Sequence, residues 1–261
     1  NEGAFASQAR AGGLVRQRTR RAWRRQLNSQ GSLSAATGSV EQWNDTFARE
    51  HDIDQYYAQA SPLIRWIENC RLQLIREMLH ANAGHRVLEV GCGGGHVLRM
   101  FPQCILTGVD VSGEMIAKAK RNLVGYPVRL LKGELDAVDL PVGGFDRIIC
   151  SEVLEHVVDP EQLLGTMRRL LAPHGRVVIT IPNDTLIHRI KSWIRATRLD
   201  VLPPLRRIAW GGDQYHLHIW RVREMRSLLN RFFRVDQVRL APSRLLPIRA
   251  CFALKAANPV D

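Results

Sequence analysis

From His85 onward the chain alternates short β-branched runs with helix-compatible segments, and no other feature constrains its fold as much. The runs are HRVLEV (85–90), CILTGV (104–109), PVRLLK (127–132), FDRIIC (145–150) and GRVVITI (175–181). Between them lie segments 94–101, 113–123 and 160–171, the last with acids at its start and arginines near its end, as a helix dipole favours. Strands that alternate with helices pair in parallel through helical crossovers, which predicts a doubly wound α/β sheet. Two further runs, 233–240 and 248–255, are separated by a stretch too short for a helix. They are expected to add an antiparallel pair at one edge, preceded by a helix over 222–232, for seven strands in all.

The first strand runs into VLEVGCGGGHVL, where Gly91, Gly93, Gly94 and Gly95 crowd a single turn. In an open parallel sheet ligands bind beyond the carboxyl ends of the strands, so this turn is the default site for a nucleotide-like ligand. A dinucleotide fingerprint would need glycine at 96, which is histidine here, and the Gly-Lys-Ser/Thr of a phosphate loop is absent. Glu89, two residues before Gly91, would repel a pyrophosphate and suits a ligand with positive charge. S-adenosylmethionine carries a sulfonium and an ammonium and no phosphate. Asp110, nineteen residues after Gly91 at the end of the second strand, can accept from both ribose hydroxyls. In LDAVDLP, Asp136 is expected near the adenine edge and is preferred to Glu134.

With VLEVGCGGG, GVDVS, LDAVDLP…FD and CSEVLEHVVDP in this order, the chain resembles the class I S-adenosylmethionine-dependent methyltransferases from about Arg71 to Asn183. CSEVLEHVVDP and Arg71 look most like the ubiquinone-biosynthesis O-methyltransferase branch. The resemblance implies a Rossmann-like domain, S-adenosyl-L-methionine as cofactor, Arg71 paired with the cofactor carboxylate and Ser151 in backbone contact with its methionine portion. The cofactor set expected is thus Arg71, Glu89, Gly91, Gly93, Gly95, Asp110, Asp136 and Ser151.

Methyl transfer from a sulfonium is an in-line displacement in which the protein positions the acceptor and excludes water. A phenol or alcohol acceptor must also lose a proton, and imidazole is a competent base near neutral pH. His156, after the fourth strand in EVLEH, and His216 and His218, in GGDQYHLHIW, are the candidate bases. If YHLHI is extended, His216 and His218 share one face. Glu152, Glu155 and His156 also form a cluster able to hold a divalent ion, but no metal is assigned.

Residues 1–40 hold seven arginines and one acid, half of the net charge of +12, and read as a basic, disordered tail. Residues 41–84 read as N-terminal helices covering the cofactor site, over 41–59 and 62–81, and 85–261 as the methyltransferase domain with a lid insertion at about 184–220. In the lid, Leu186, Ile187, Ile190, Trp193 and Ile194 form a helical stripe flanked by basic residues, and Trp193, Trp210 and Trp220 would line an apolar acceptor pocket. Five cysteines without a CxxC pair fit free thiols in a reducing compartment, hence a cytoplasmic location, with peripheral membrane contact through tail and lid left open. The reading is a methyltransferase acting on a small or lipid-linked acceptor at oxygen. An RNA-modifying methyltransferase, with nucleic acid the less favoured partner, and a non-catalytic cofactor-binding protein are the alternatives.

Overall fold

The structure, a computed structural model, describes residues 61–202 and 216–256. The tail, the helix expected over 41–59 and Trp210 lie outside these residues. Seven strands form one sheet in the order β3-β2-β1-β4-β5-β7-β6. They are β1 (Arg86–Val90), β2 (Ile105–Asp110), β3 (Val128–Lys132), β4 (Phe145–Ser151), β5 (Leu171–Pro182), β6 (Phe233–Pro242) and β7 (Pro247–Ala256). β1 to β5 pair in parallel, and β7 and β6 add the antiparallel edge.

Five α-helices are described: α1 (Pro62–Leu79), α2 (Gly113–Asn122), α3 (Pro160–Leu170), α4 (Asp184–Ala196) and α5 (Val222–Leu229). Their starts follow local chemistry. Ser61, Ser112, Asp159 and Asn183 each accept a backbone N–H of the first turn, and Pro62 and Pro160 open α1 and α3.

β5 and β7 alternate strictly between two apolar clusters. Val177 and Ile179, with Ala250, Phe252 and Leu254, pack with Leu164 and Met167 of α3 and Met225 and Leu229 of α5. Val178, Cys251 and Ala253 pack with Ile75 and Met78 of α1 and with Ile116 and Ala119 of α2. The sheet is therefore buried on both faces, as parallel sheets require.

Two expectations are corrected. The helix expected over 94–101 is only a single 3-10 turn, Leu98–Met100. Gly93 and Gly95 take φ of +49° and +80°, values outside the helical range, so the ladder cannot start before them. In α4 the buried ridge is Asp184, Lys191 and Ile194, while Trp193 is 60% exposed. Trp193 follows Ile190 by three positions but sits one residue off the line through Ile187, Lys191 and Ile194, so it leaves the buried face. Among the described residues no helix is long and apolar enough to cross a membrane.

Candidate active site

β1 and β4 are neighbours, with Val90 opposite Cys150, so the turn after β1 and the residues after β4 meet at the point where strand order reverses. Gly91 there has φ +67°, and a Cβ on it would lie 2.5 Å from Cγ2 of Val153. The turn is tied to β2 through the Gly91 and Cys92 N–H groups, which donate to the Val109 carbonyl at 2.8 and 3.0 Å. Asp110 accepts from the Gly93 N–H at 2.8 Å through one oxygen and from the Ser112 N–H at 2.9 Å through the other. Its carboxylate is thereby fixed at the strand end. Cys92 faces Gly108, whose absent side chain makes room for the sulfur. Burial, then the charges of Glu89 and Asp110, push its thiol well above the usual range, so it is no nucleophile.

Glu89 is 2% exposed, and its Oε2 is buried without a hydrogen-bond partner. Burial raises its pKa well above the ordinary carboxylate range, against the Leu98 N–H and the Arg71 charge, which favour the ionised form. A cation placed beside it would supply the missing partner.

Arg71 and Ser151, 80 residues apart, are in direct contact: the guanidinium donates to Ser151 Oγ. They belong to a closed ring of six side chains at the carboxyl end of the sheet. Arg71 Nε donates to Glu68 at 2.8 Å, and Arg249 donates to the other Glu68 oxygen at 3.0 Å. Arg249 Nε also pairs with Glu152 at 3.0 Å. Thr180 donates to Glu152 at 2.9 Å, so the 2.9 Å contact between Ser151 and Thr180 has Ser151 as donor. Two cations and two anions close the ring without net charge. Although burial opposes both shifts, Arg71 and Arg249 hold the Glu68 carboxyl below its usual pKa, and Glu152 and Glu68 raise that of Arg249. Sequence reasoning missed Glu68, Thr180 and Arg249. Glu68 was within reach of it, three residues before Arg71 on a helix. Asp136 is exposed, accepts a hydrogen bond from Gln162 of α3, and is not bonded to this ring.

The histidines divide. His216 Nδ1 lies 2.9 Å from Oδ1 of Asp184, a fully buried carboxylate at the start of α4. Its ring meets that of His156 edge-on, with centroids 5.1 Å apart. His218 instead spends Nε2 on the Val157 carbonyl at 2.9 Å and stacks on Trp220. Burial lowers the His218 pKa, against its bond to the Val157 carbonyl. Glu155 has both carboxyl oxygens buried without a hydrogen bond, Oε1 lying 3.9 Å from Nε2 of His156. Its pKa is raised by burial and then by the charge of Glu152. Glu155, His156 and His216 each offer a metal-ligating atom, all within 4.8 Å of one another. Glu152, grouped with this cluster in the sequence, is held in the Arg249 ring.

A doubly wound sheet whose first turn is glycine-lined, backed by a buried carboxylate and closed by the acid ending β2 is the arrangement that the resemblance to the class I S-adenosylmethionine-dependent methyltransferases implies. The residues fit that cofactor: a cradle with no side chains at Gly91 and Gly93, and a buried Glu89 oxygen without a hydrogen bond, suited to a cation. The family described as methyltransferase domain matches residues 88–179, and that segment is such a domain. Among curated relatives, the mitochondrial ubiquinone biosynthesis O-methyltransferase of Schizosaccharomyces pombe is 29% identical over 175 residues, covering 63% of this chain and 62% of that protein. The ubiquinone biosynthesis O-methyltransferase of Proteus mirabilis is 30% identical over 160 residues, covering 55% and 63%. The chain thus spans less than two thirds of the length of either. Among solved structures, magnesium protoporphyrin IX methyltransferase from Synechocystis PCC 6803 with bound S-adenosylhomocysteine aligns with TM-score 0.60 at 16% identity, over 84% of this chain and 98% of that one. A methyltransferase of Thermotoga maritima aligns with TM-score 0.60 at 19% identity, over 82% and 98%. These two share the fold.

Proposed function

We propose that this protein transfers a methyl group from S-adenosylmethionine to an oxygen of a small or lipid-linked acceptor, with His216 as the base. The observation that carries this reading is the His216–Asp184 contact. A carboxylate accepts, so Nδ1 donates to it and the proton-free Nε2 becomes the basic atom. The acceptor hydroxyl gives its proton to that Nε2 as its oxygen bonds the methyl carbon. The bound cofactor supplies an electrophilic methyl on a sulfonium, whose sulfur leaves as a neutral thioether. His156, edge-on to His216, limits where an acceptor ring can lie, and Arg71, held by Glu68, presents a cation for the cofactor carboxylate. Glu89 supplies a partner for the cofactor's positive charge, and Asp110 for its ribose. The ubiquinone O-methyltransferases among the relatives support a phenolic, lipid-linked acceptor.

The Glu155 carboxyl, buried without a hydrogen bond, favours a second reading, in which a divalent cation on Glu155, His156 and His216 would hold the oxygens of a catechol-type acceptor. The test measures methyl transfer to a panel of phenolic lipids by wild type and Asp184→Asn, before and after dialysis against EDTA. On the base reading the variant loses about 10²–10⁴-fold in kcat while its affinity for S-adenosylhomocysteine is unchanged, and EDTA has no effect. An undiminished rate in Asp184→Asn overturns it. Activity lost to EDTA and restored by a divalent ion replaces it with the metal reading.

A further inference from the structure

At the opposite end of the sheet face that carries the Arg71 ring lies a second polar assembly, a line of four cations with one acid beside it. Arg147 of β4 stands opposite Arg176 of β5. Arg176 stands opposite Lys255 of β7, and Lys255 opposite Arg234 of β6. Residues directly opposite on neighbouring strands project to the same side, so four cationic side chains form a row across four adjacent strands. Like charges directly opposite on neighbouring strands are destabilising.

The row lines a cleft of about 390 Å³, together with His80 and His174. That volume is within the range of small-molecule sites, roughly 300–1,000 Å³. Partial neutralisation is visible. Asp236 pairs with Arg176 at 3.1 Å and with Lys255 at 2.8 Å. Arg147 donates to the His80 carbonyl and Arg176 to the Met78 carbonyl, at the end of α1 where the helix dipole is negative. The neighbouring Asp146 is committed to Arg86 at 3.0 Å. Four cations against Asp236 leave three positive charges around the cleft. Burial and then the nearby Arg176 charge lower the Arg147 pKa, against the opposing charge of Asp146.

We infer that this cleft is an anion site, separate from the cofactor turn, that binds a phosphate-bearing ligand of two or more negative charges through Arg147, Arg176, Arg234 and Lys255. The guanidinium fork matches a phosphate in bidentate fashion, and three arginines on one side of a groove are the chemistry that recognises it. A carboxylate cofactor such as S-adenosylmethionine carries too little negative charge to satisfy the row. Arg71 lies midway along α1 and His80 caps its C-terminus nine residues later, about 13 Å along a helix, so the two sites are separate. The phosphate could belong to a free metabolite or to a lipid headgroup, and the test separates them.

Calorimetric titration of the full chain with inorganic pyrophosphate, at about 50 mM salt to limit screening, is compared between wild type, Arg234→Ala and Arg234→Lys. Arg234 is exposed on the edge strand, so its removal spares the core. In a second arm the same proteins are sedimented with phosphatidylglycerol vesicles. The expected result is one-to-one binding that weakens about tenfold in Arg234→Ala and by a smaller factor in Arg234→Lys, which keeps the charge but not the fork, with S-adenosylhomocysteine affinity equal in all three. Loss in the pyrophosphate arm assigns a free phosphate ligand, and loss confined to the vesicle arm assigns a headgroup. If Arg234→Ala binds both probes as wild type does, or neither probe binds, the row is a solvated surface and the inference falls.

Discussion

Replacing Gly91 by alanine separates two costs that the glycine turn avoids. The first is conformational: at φ +67° a residue with a Cβ lies in the left-handed region, about 1–2 kcal/mol unfavourable. The second is steric: the new Cβ would stand 2.5 Å from Val153 Cγ2, closer than real contacts allow, and such overpacking typically costs about 1–3 kcal/mol. Gly91→Ala should therefore destabilise the protein by about 2–5 kcal/mol, a melting shift of about 4 °C at least for a domain of this size. Val153→Ala removes the clashing methyls, so the double variant should recover the steric part and keep the conformational one. Denaturant unfolding of wild type, both single variants and the double variant gives a coupling energy of about 1–3 kcal/mol in the recovering direction. Because Gly91 borders Ser151 across the β1–β4 pair, Gly91→Ala should also weaken S-adenosylhomocysteine, and the double variant should regain part of that affinity. If the two substitutions are additive within about 0.5 kcal/mol, Val153 does not press on the turn and the steric argument is wrong.

Glu89→Gln should act in opposite directions on stability and on binding. The folded pKa of Glu89 lies above its unfolded value, so its contribution is fully present below the ordinary carboxylate range and is lost as pH rises through the folded pKa. Thermal melts of the ligand-free variant should exceed wild type at pH 8 and converge at pH 4, while S-adenosylmethionine affinity falls at least about tenfold; a variant less stable at pH 8 refutes the assignment. Arg249→Met leaves Glu68 and Glu152 with one cation fewer and should cost about 3–5 kcal/mol in denaturant unfolding, whereas a neutral result would show the ring to be dispensable. Cys92, Cys150 and Cys251 are buried, and burial raises each thiol pKa, that of Cys251 to about 12. Ellman's reagent should reach the partly exposed Cys70 before any of these three, which should react only on unfolding.

What was legible in the sequence is what depends on local period. β1 to β4 start and end within a residue of the runs that forecast them, because alternation and β-branching act over four to seven positions. β5 is longer than its run because Leu171, the extended cap of α3, already pairs with Phe145. The positive φ of Gly91, Gly93 and Gly95 and the Asp110 bond to the Gly93 N–H follow from a motif confined to twenty residues. What escaped is set by register between distant strands. Glu68 and Arg249 are separated by 181 positions, and no periodicity along either segment carries that pairing. Register also explains why both polar assemblies lie on one sheet face. Arg147, Ile149 and Ser151 alternate along β4, and Arg176, Val178 and Thr180 stand opposite them on β5. The same two strands thus carry the cation row at one end, an apolar stretch beneath α1 in the middle, and the Ser151–Thr180 contact at the other. A shift of one residue in β5 would turn Thr180 and Arg176 to the α3 face and dismantle both assemblies at once. The apolar alternation that buries Val178 and Ile179 on opposite sides is therefore what aligns each polar group with its neighbours, and the core specifies the sites by fixing the register.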